Sequence, residues 1–339
     1  MNSDSAAHNA AGRCTERFCA PMIDVVTVTC GARLHLGFLD LNFGLGRGFG
    51  SIGMALDAPE TRLTLRRAEH TDVRGPERER ARRHLDRITE ALDLREAHEL
   101  VIDAAMPAHA GLGSGTQLAL AVTTAVRRLH GRALELRQDA ALLGRGTRSG
   151  IGIALFASGG LVVDGGRGVS NLPPPLLARL DVPSDWRVLL LLDPAGTGLS
   201  GAGERSAFAA LPTMQAATAG ELCRVVLMGA LPALVEGDLA GFGDAITQLQ
   251  RKLGDHFAPA QGGRFNSPRV AAALDRLAAL GARGLGQSSW GPSGFAFAAD
   301  PDAAEWLRRR IAPADDRIGV TICRARNRGA DVVVPGHDG

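Results

Sequence analysis

Lysine is nearly absent from this chain of 339 residues. Lys252 stands alone among 38 basic side chains, so the other 37 are arginine. A Walker-type phosphate lysine, a Schiff-base lysine or a lysine general base would each have to be that residue, and its setting, QLQRKLGDHF, has no glycine-rich loop. Chemistry that depends on lysine is therefore not expected. Cysteine is scarce as well. Cys14, Cys19, Cys30, Cys223 and Cys323 are odd in number and never spaced as CxxC, which argues against a zinc site and a disulfide framework and fits a cytoplasmic protein. No apolar run approaches the ~20 residues that span a bilayer, the longest candidate being VLLLLD at 188–193, so no membrane partner is expected. Residues 1–22 have no apolar signal-peptide segment and are expected to be a disordered leader without chemistry. A net charge of +2 gives no basic excess for a nucleic-acid partner.

What is present is a globular chain, 45% hydrophobic, long enough for two domains. The alternating segment Val25 to Cys30 reads as a strand that feeds a loop at Gly31, and the glycine-dense stretch up to Gly53 reads as irregular. Strands are expected at 61–67 and 98–104, with a charged helix after Pro76 between them. Within GRGTRSGIGIALFASGGLVVDGG, the runs IALFA and LVVD suggest a hairpin. The triple proline at 173–175 and the loop before Trp186 mark a boundary between a first domain at 23–183 and a second at 184–334, with a tail at 335–339. Beyond the boundary come a strand at 186–193, helices at 221–236 and 268–280, a glycine loop at 281–294, strand GFAFA, a helix at 301–311 and strand IGVTIC. The fold class is α+β in two halves.

PAHAGLGSGT, Pro107 to Thr116, runs straight into an amphipathic helix carrying Leu118, Val122, Ala125, Val126 and Leu129 on one face. Gly111, Gly113 and Gly115 let successive backbone N–H groups converge, and the helix dipole adds positive potential, so the segment reads as an anion cradle. The plainer reading is a helix-start turn with Ser114 or Thr116 as N-cap. The pattern PxxxGLGSG resembles the phosphate loop of the GHMP small-molecule kinase superfamily, which implies a ribosomal-S5-like first half and a ferredoxin-like second half. Many kinases of that superfamily carry Ser-Gly-x-Asp after the loop, with Asp as the base. Here the matching run is Ser149-Gly150-Ile151-Gly152.

Further motifs resemble the β-ribofuranosylaminobenzene 5′-phosphate synthase family, superfamily members that are not kinases. They are ARLHLGFLDL at 32–41, FGSIG at 49–53, Gly115-Thr116-Gln117, RGTRSGIG at 145–152, APAQGG at 258–263 and GQSSWGP at 286–292. The resemblance runs from about residue 24 to 334. It implies condensation of phosphoribosyl pyrophosphate with 4-hydroxybenzoate or 4-aminobenzoate, with loss of pyrophosphate and CO2, as an early step toward methanopterin cofactors. It also implies a homodimer. An ATP-dependent small-molecule kinase is the alternative.

That chemistry needs donors for the departing pyrophosphate, negative charge near the ribosyl cation and a stacking surface for the ring. Gly111, Gly113, Ser114, Gly115, Thr116, Arg148 and Ser149 are the expected phosphate-binding residues, and Arg33, His35 and Asp40 the expected catalytic ones. Arg33 and Arg148 offer planar forks to anions, while Arg145 is left open between a phosphate contact and a solvated residue. His35, two residues from Arg33 on an extended segment, faces the same way and is a candidate partner for the phenolic proton. Gln287, Ser288, Ser289 and Trp290 are assigned to the benzoate, Trp290 as a platform in a chain with three tryptophans and no tyrosine. Asp40 and Asp164 are the candidates to face the ribosyl cation or a Mg²⁺ ion, and either is equally a turn cap. No organic cofactor is expected. Arg78 to Arg87 reads as the solvated face of its helix, without a site role.

Overall fold

The computed structural model describes residues 23–196, 198, 201–311 and 317–335. The expected leader and most of the expected tail lie outside them. In chain order the elements are β1 (Val25–Asp40), β2 (Phe49–Ala68), β3 (Asp72–Arg74), α1 (Arg78–Ala91), β4 (Ala97–Ala104), α2 (Ser114–Leu129), α3 (Leu136–Leu142), α4 (Ile151–Ser158), β5 (Leu161–Asp164), β6 (Leu176–Leu180), β7 (Arg187–Leu192), α5 (Gly201–Ala210), α6 (Ala216–Val225), α7 (Leu231–Glu236), α8 (Leu239–Gln261), α9 (Pro268–Ala279), β8 (Arg283–Gln287), β9 (Ser293–Ala298), α10 (Pro301–Ile311), β10 (Gly319–Arg324) and β11 (Asp331–Val333).

Two sheets organise them. The first has the order β11-β1-β2-β4-β3, with β5 pairing both β2 and β6. The second, β10-β7-β9-β8, places its four strands in spatial order 4-1-3-2 with helices between the first and second and between the third and fourth. That is the ferredoxin-like arrangement. β11 lies in the half assigned to the second domain, yet it pairs with β1 in the first sheet, Thr27 opposite Val333.

Four local expectations change. β1 does not end at Gly31. It continues to Asp40 across two register shifts, between Gly31 and Arg33 and between His35 and Gly37. Glycine is needed at both: a Cβ on Gly31 would sit 1.9 Å from the Leu56 carbonyl oxygen, and one on Gly37 2.7 Å from Leu253. Bulges of this kind re-aim side chains, and here they bracket Arg33 and His35. The expected hairpin at 153–163 is helix α4 followed by β5, because Ile151, Ile153, Leu155 and Phe156 are all buried and a short all-apolar run carries no period to separate helix from strand. The expected glycine loop at 281–294 holds strand β8. The helix expected at 221–236 begins at Ala216 and passes through a π-turn at Val226–Ala230 just before Pro232. By length and composition Ala216–Glu236 is long and apolar enough to cross a membrane, with mean hydropathy 1.5 and a third of it buried; its apolar run at 225–235, and not VLLLLD at 188–193, is the longer candidate.

Histidines are built into this core in neutral form. His84 is 6% and His98 1% exposed, and burial, aided by neighbouring charges, lowers each to about 4. The unfolded chain therefore takes up protons that the folded chain refuses, and stability present above about pH 6.5 is lost as pH falls toward 4. Each histidine is expected to remove up to about 1.4 kcal/mol per pH unit in that window. Urea unfolding at pH 7 and pH 5.5 measures it, and an unchanged midpoint would refute the neutral assignment.

Candidate active site

The cradle forms as a helix start without a cap. Gly113 occupies the N-cap position of α2 at φ 76°, and no side chain caps it. The N–H groups of Ser114 and Gly115 are thus left for a ligand at the positive end of the helix dipole, while that of Thr116 donates to the Gly113 carbonyl at 3.0 Å. Neither Ser114 nor Thr116 serves as N-cap; Ser114 is the first helical residue.

β1 brings Arg33 and His35 beside this loop. The Arg33 N–H donates to the Leu112 carbonyl at 3.0 Å and Arg33 Nη1 to the Gly111 carbonyl at 3.2 Å. The second half closes the site through the turn between β8 and β9. Ser288 Oγ accepts from the His35 N–H at 3.0 Å and donates to the Gly111 carbonyl at 2.8 Å, so one hydroxyl ties strand, loop and turn together. Gln287 serves the same turn, accepting from the Asn266 N–H and donating to the Ser289 carbonyl.

Two cavities meet at Ser289 and Trp290. The first, about 210 Å³, is lined by the loop from Gly111 to Thr116 together with Arg33, Arg80, His109, Arg145 and Glu204. The second has aromatic walls, Phe38, Phe257 and Trp290, with His35 within and Arg264 and Gln261 also lining it, and it is closed to about 20 Å³. Trp290 packs on Phe257 at 4.7 Å and edge-on to Phe208 at 5.2 Å. His35 is 3% exposed, and its Nε2 has no hydrogen-bond partner among the described residues. Burial, then the charge of Arg33, holds its pKa well below 6.5, so the imidazole is neutral. Arg33 is itself lowered, to about 10, by burial, with Glu204 opposing the shift.

Other expected residues are occupied elsewhere. Asp40 accepts from the N–H groups of Asn42 and Phe43 and caps a turn. Asp164 accepts from the N–H groups of Gly150 and Gly166 and from Ser149 Oγ. Neither carboxylate lines either cavity. Ser149 is consumed by Asp164 and the start of α4. Arg148 pairs with Glu204 and lies 5.2 Å over the Phe208 ring, away from the cradle lining. Among the described residues no group of three or more His, Cys, Asp and Glu could hold a metal. Lys252 pairs with Glu221, apart from both cavities.

Sequence reasoning missed Glu204, Phe208 and Phe257, and it misjudged Arg80, which lines the cradle from α1. Among the described residues Glu204 is the one carboxylate on the first cavity. Burial raises its pKa against the opposing pull of Arg148, Arg33 and the Trp290 indole N–H.

Comparison with known proteins agrees with this architecture. Residues 79–160 match the family described as GHMP kinases N terminal domain, and residues 230–314 match GHMP kinases C terminal. A curated protein of Methanothermobacter thermautotrophicus, beta-ribofuranosylphenol 5′-phosphate synthase, is 31% identical over 340 residues, covering 92% of this chain and all of that protein. The chain belongs to the beta-ribofuranosylphenol 5′-phosphate synthase family. The enzyme of the same name from Archaeoglobus fulgidus is 34% identical over 318 residues, 89% of this chain and 98% of that one. Among solved structures, homoserine kinase from Cytophaga hutchinsonii superposes with a TM-score of 0.66 at 20% identity, over 92% of this chain and 98% of that one. Mevalonate diphosphate decarboxylase from Staphylococcus aureus gives 0.62 at 15%, over 92% and 98%. These likenesses fix the fold as the two-domain GHMP α+β fold, and family membership makes the chain a phosphoribosyl-transferring enzyme.

Proposed function

We propose that this enzyme condenses phosphoribosyl pyrophosphate with a para-substituted benzoate, releasing pyrophosphate and CO2 and leaving a C-riboside 5′-phosphate, an early step toward methanopterin coenzymes. The observation that carries the reading is the pair of adjoining cavities served by one strand: Arg33 reaches a cationic pocket over a phosphate loop, and His35 reaches an aromatic one. The relatives' product is a ribosylphenol, which favours 4-hydroxybenzoate over 4-aminobenzoate as acceptor.

The diphosphate leaves toward the α2 N-terminus and Arg33, whose N–H donors strengthen as charge gathers on it. The ring carbon bearing the carboxylate bonds to the ribose C1, pushed by the para oxygen. The bond to the carboxylate then breaks, its electrons restore the aromatic ring, and CO2 departs. His35, neutral and with Nε2 unengaged, is suited to exchange a hydrogen bond with the acceptor within the second cavity. The ring enters only if Phe257, Trp290 or Arg264 moves, since the present cavity is smaller than a benzene ring. Glu204 answers the positive charge developing on the ribose. Were a Mg²⁺ ion to accompany the pyrophosphate, the Glu204 carboxylate and Ser114 hydroxyl are the hard oxygen donors of the cavity lining that would hold it, with Arg148 released from Glu204, and it would supply charge neutralisation.

The test is incubation with phosphoribosyl pyrophosphate and each benzoate, followed by detection of CO2, pyrophosphate and the C-riboside. Phosphorylation of a metabolite by ATP, with no product from phosphoribosyl pyrophosphate, would favour a kinase instead. Glu204→Gln is expected to lower kcat about tenfold to a hundredfold while leaving donor KM within about threefold, because the charge is used chiefly in the transition state. A rise in KM alone would make Glu204 a ground-state contact.

A further inference from the structure

Arg145 carries a charge that the protein leaves unanswered. The side chain is half-buried, and its Nε is buried and finds no partner among the described residues. Burial lowers its pKa, and the charges that act on it, those of Arg80 and Arg87, share its sign. A half-buried cation whose neighbouring charges are all of its own sign costs stability, and an anionic ligand is what would offset that cost. The guanidinium lies against the phosphate loop: a Cβ on Gly115 would be 3.0 Å from Arg145 Nη1. Arg80 lines the same cavity, sharing its charge with Glu77 at 3.1 Å. Buried His84 beside them is held neutral in part by Arg145 and Arg80.

Arg33 meets the loop at a different place. A Cβ on Gly113 would be 3.0 Å from its Nε. The cavity therefore has two cationic poles, at Gly113 and at Gly115. The donor named above has two anionic groups, a diphosphate on C1 and a phosphate on C5 of one ribose. The Arg33 pole adjoins His35 and the aromatic cavity, so the reacting C1 and its diphosphate belong there.

We propose that Arg145 and Arg80 form the seat of the donor's 5-phosphate, the group retained in the product. The assignment rests on the phosphoribosyl reading and adds to it which pole holds which end. It makes Arg145 and Arg80 binding residues for an anion that never leaves the sugar, in contrast to Arg33, which faces the leaving group.

The experiment compares the parent enzyme with Arg145→Gln and Arg80→Gln, using ribose 5-phosphate and inorganic pyrophosphate as separate competitive inhibitors of the condensation and as ligands in thermal unfolding. Arg145→Gln is expected to weaken ribose 5-phosphate inhibition about tenfold or more and to leave pyrophosphate inhibition within about threefold. Its unliganded Tm should equal or exceed the parent's, since a half-buried cation facing Arg80 and Arg87 is removed; a purely structural arginine would lower it. Arg80→Gln should shift in the same direction, by less, because Glu77 already engages it, and it decides the matter by the same criteria if Arg145→Gln does not fold. Ribose 5-phosphate binding within threefold of the parent, or equal loss of both inhibitors, overturns the assignment. A parent enzyme that makes no C-riboside at all sinks the phosphoribosyl reading itself, a separate outcome from a parent that turns over while the variants keep ribose 5-phosphate.

Discussion

Arg33→Lys is expected to lower kcat/KM for phosphoribosyl pyrophosphate about a hundredfold to a thousandfold, with much of the loss in kcat. The guanidinium is held in place before substrate arrives, Nη1 on the Gly111 carbonyl and Nε against Gly113. It presents further N–H donors in a fixed plane beside the amides of the loop. Lysine would supply one rotatable ammonium, heavily desolvated in a site where even the arginine is lowered to about 10. Because charge accumulates on the diphosphate as it departs, the lost fork matters more in the transition state than in the bound donor. Steady-state kinetics on both substrates measures the effect, and near-parental values would remove Arg33 from the machinery. Arg148→Lys should behave differently, since Arg148 grips Glu204 rather than the cradle. Its effect should track that of Glu204→Gln.

Gly111→Ala is expected to destabilise the fold by about 4 kcal/mol, a sum of left-handed backbone strain and forced separation of packed backbone. Gly111 sits at φ 76°, and a Cβ there would stand 2.3 Å from the Ser288 carbonyl oxygen and 3.3 Å from that of Gly291. Both neighbours are main chain of the β8–β9 turn, so neither can swing aside as a side chain would. The alanine would drive the phosphate loop off the second half and break the Ser288 link to His35 with it. Gly131→Ala separates the two contributions. Gly131 is also left-handed, at φ 60°, but a Cβ there meets nothing within 4 Å, so it should cost only about 1 to 2 kcal/mol. Urea unfolding of the two variants makes the comparison, and equal losses would mean that the loop–turn contact contributes nothing.

The loop, helix α2 and strands β7, β9 and β10 are legible in sequence because each is a glycine motif or an apolar run bounded by punctuation, whereas β8 is hidden by Gly284 and Gly286. β1 is not, because its glycines serve bulges inside a strand and imitate a loop. α8 is concealed by Gly241, Gly243, Gly254 and Pro259, although Phe242, Ile246, Leu249, Leu253 and Phe257 keep helical spacing and are buried. Gly243 and Gly254 let the helix approach Arg283 and Arg264 closely, a tertiary reason that local propensity does not carry. Among site residues, Arg33, His35 and Trp290 stand in local motifs. Glu204 and Arg80 do not, since only the folding of α5 and α1 over the cradle brings them there. Asp40 and Asp164 are carboxylates beside glycine for the commonest reason: the turn needs an acceptor.

The pairing of β11 with β1 sets an order on biosynthesis. Thr27 is made about 300 residues before its partner Val333. Until then one edge of β1 in the first sheet has no neighbour, an exposed template for pairing with other chains. The strand that bears Arg33 and His35 thus waits about 300 residues of synthesis for its outer neighbour. A ribosome that stalls before residue 331 would leave behind a polypeptide with most of its catalytic apparatus and an open sheet margin, a natural substrate for chaperone capture.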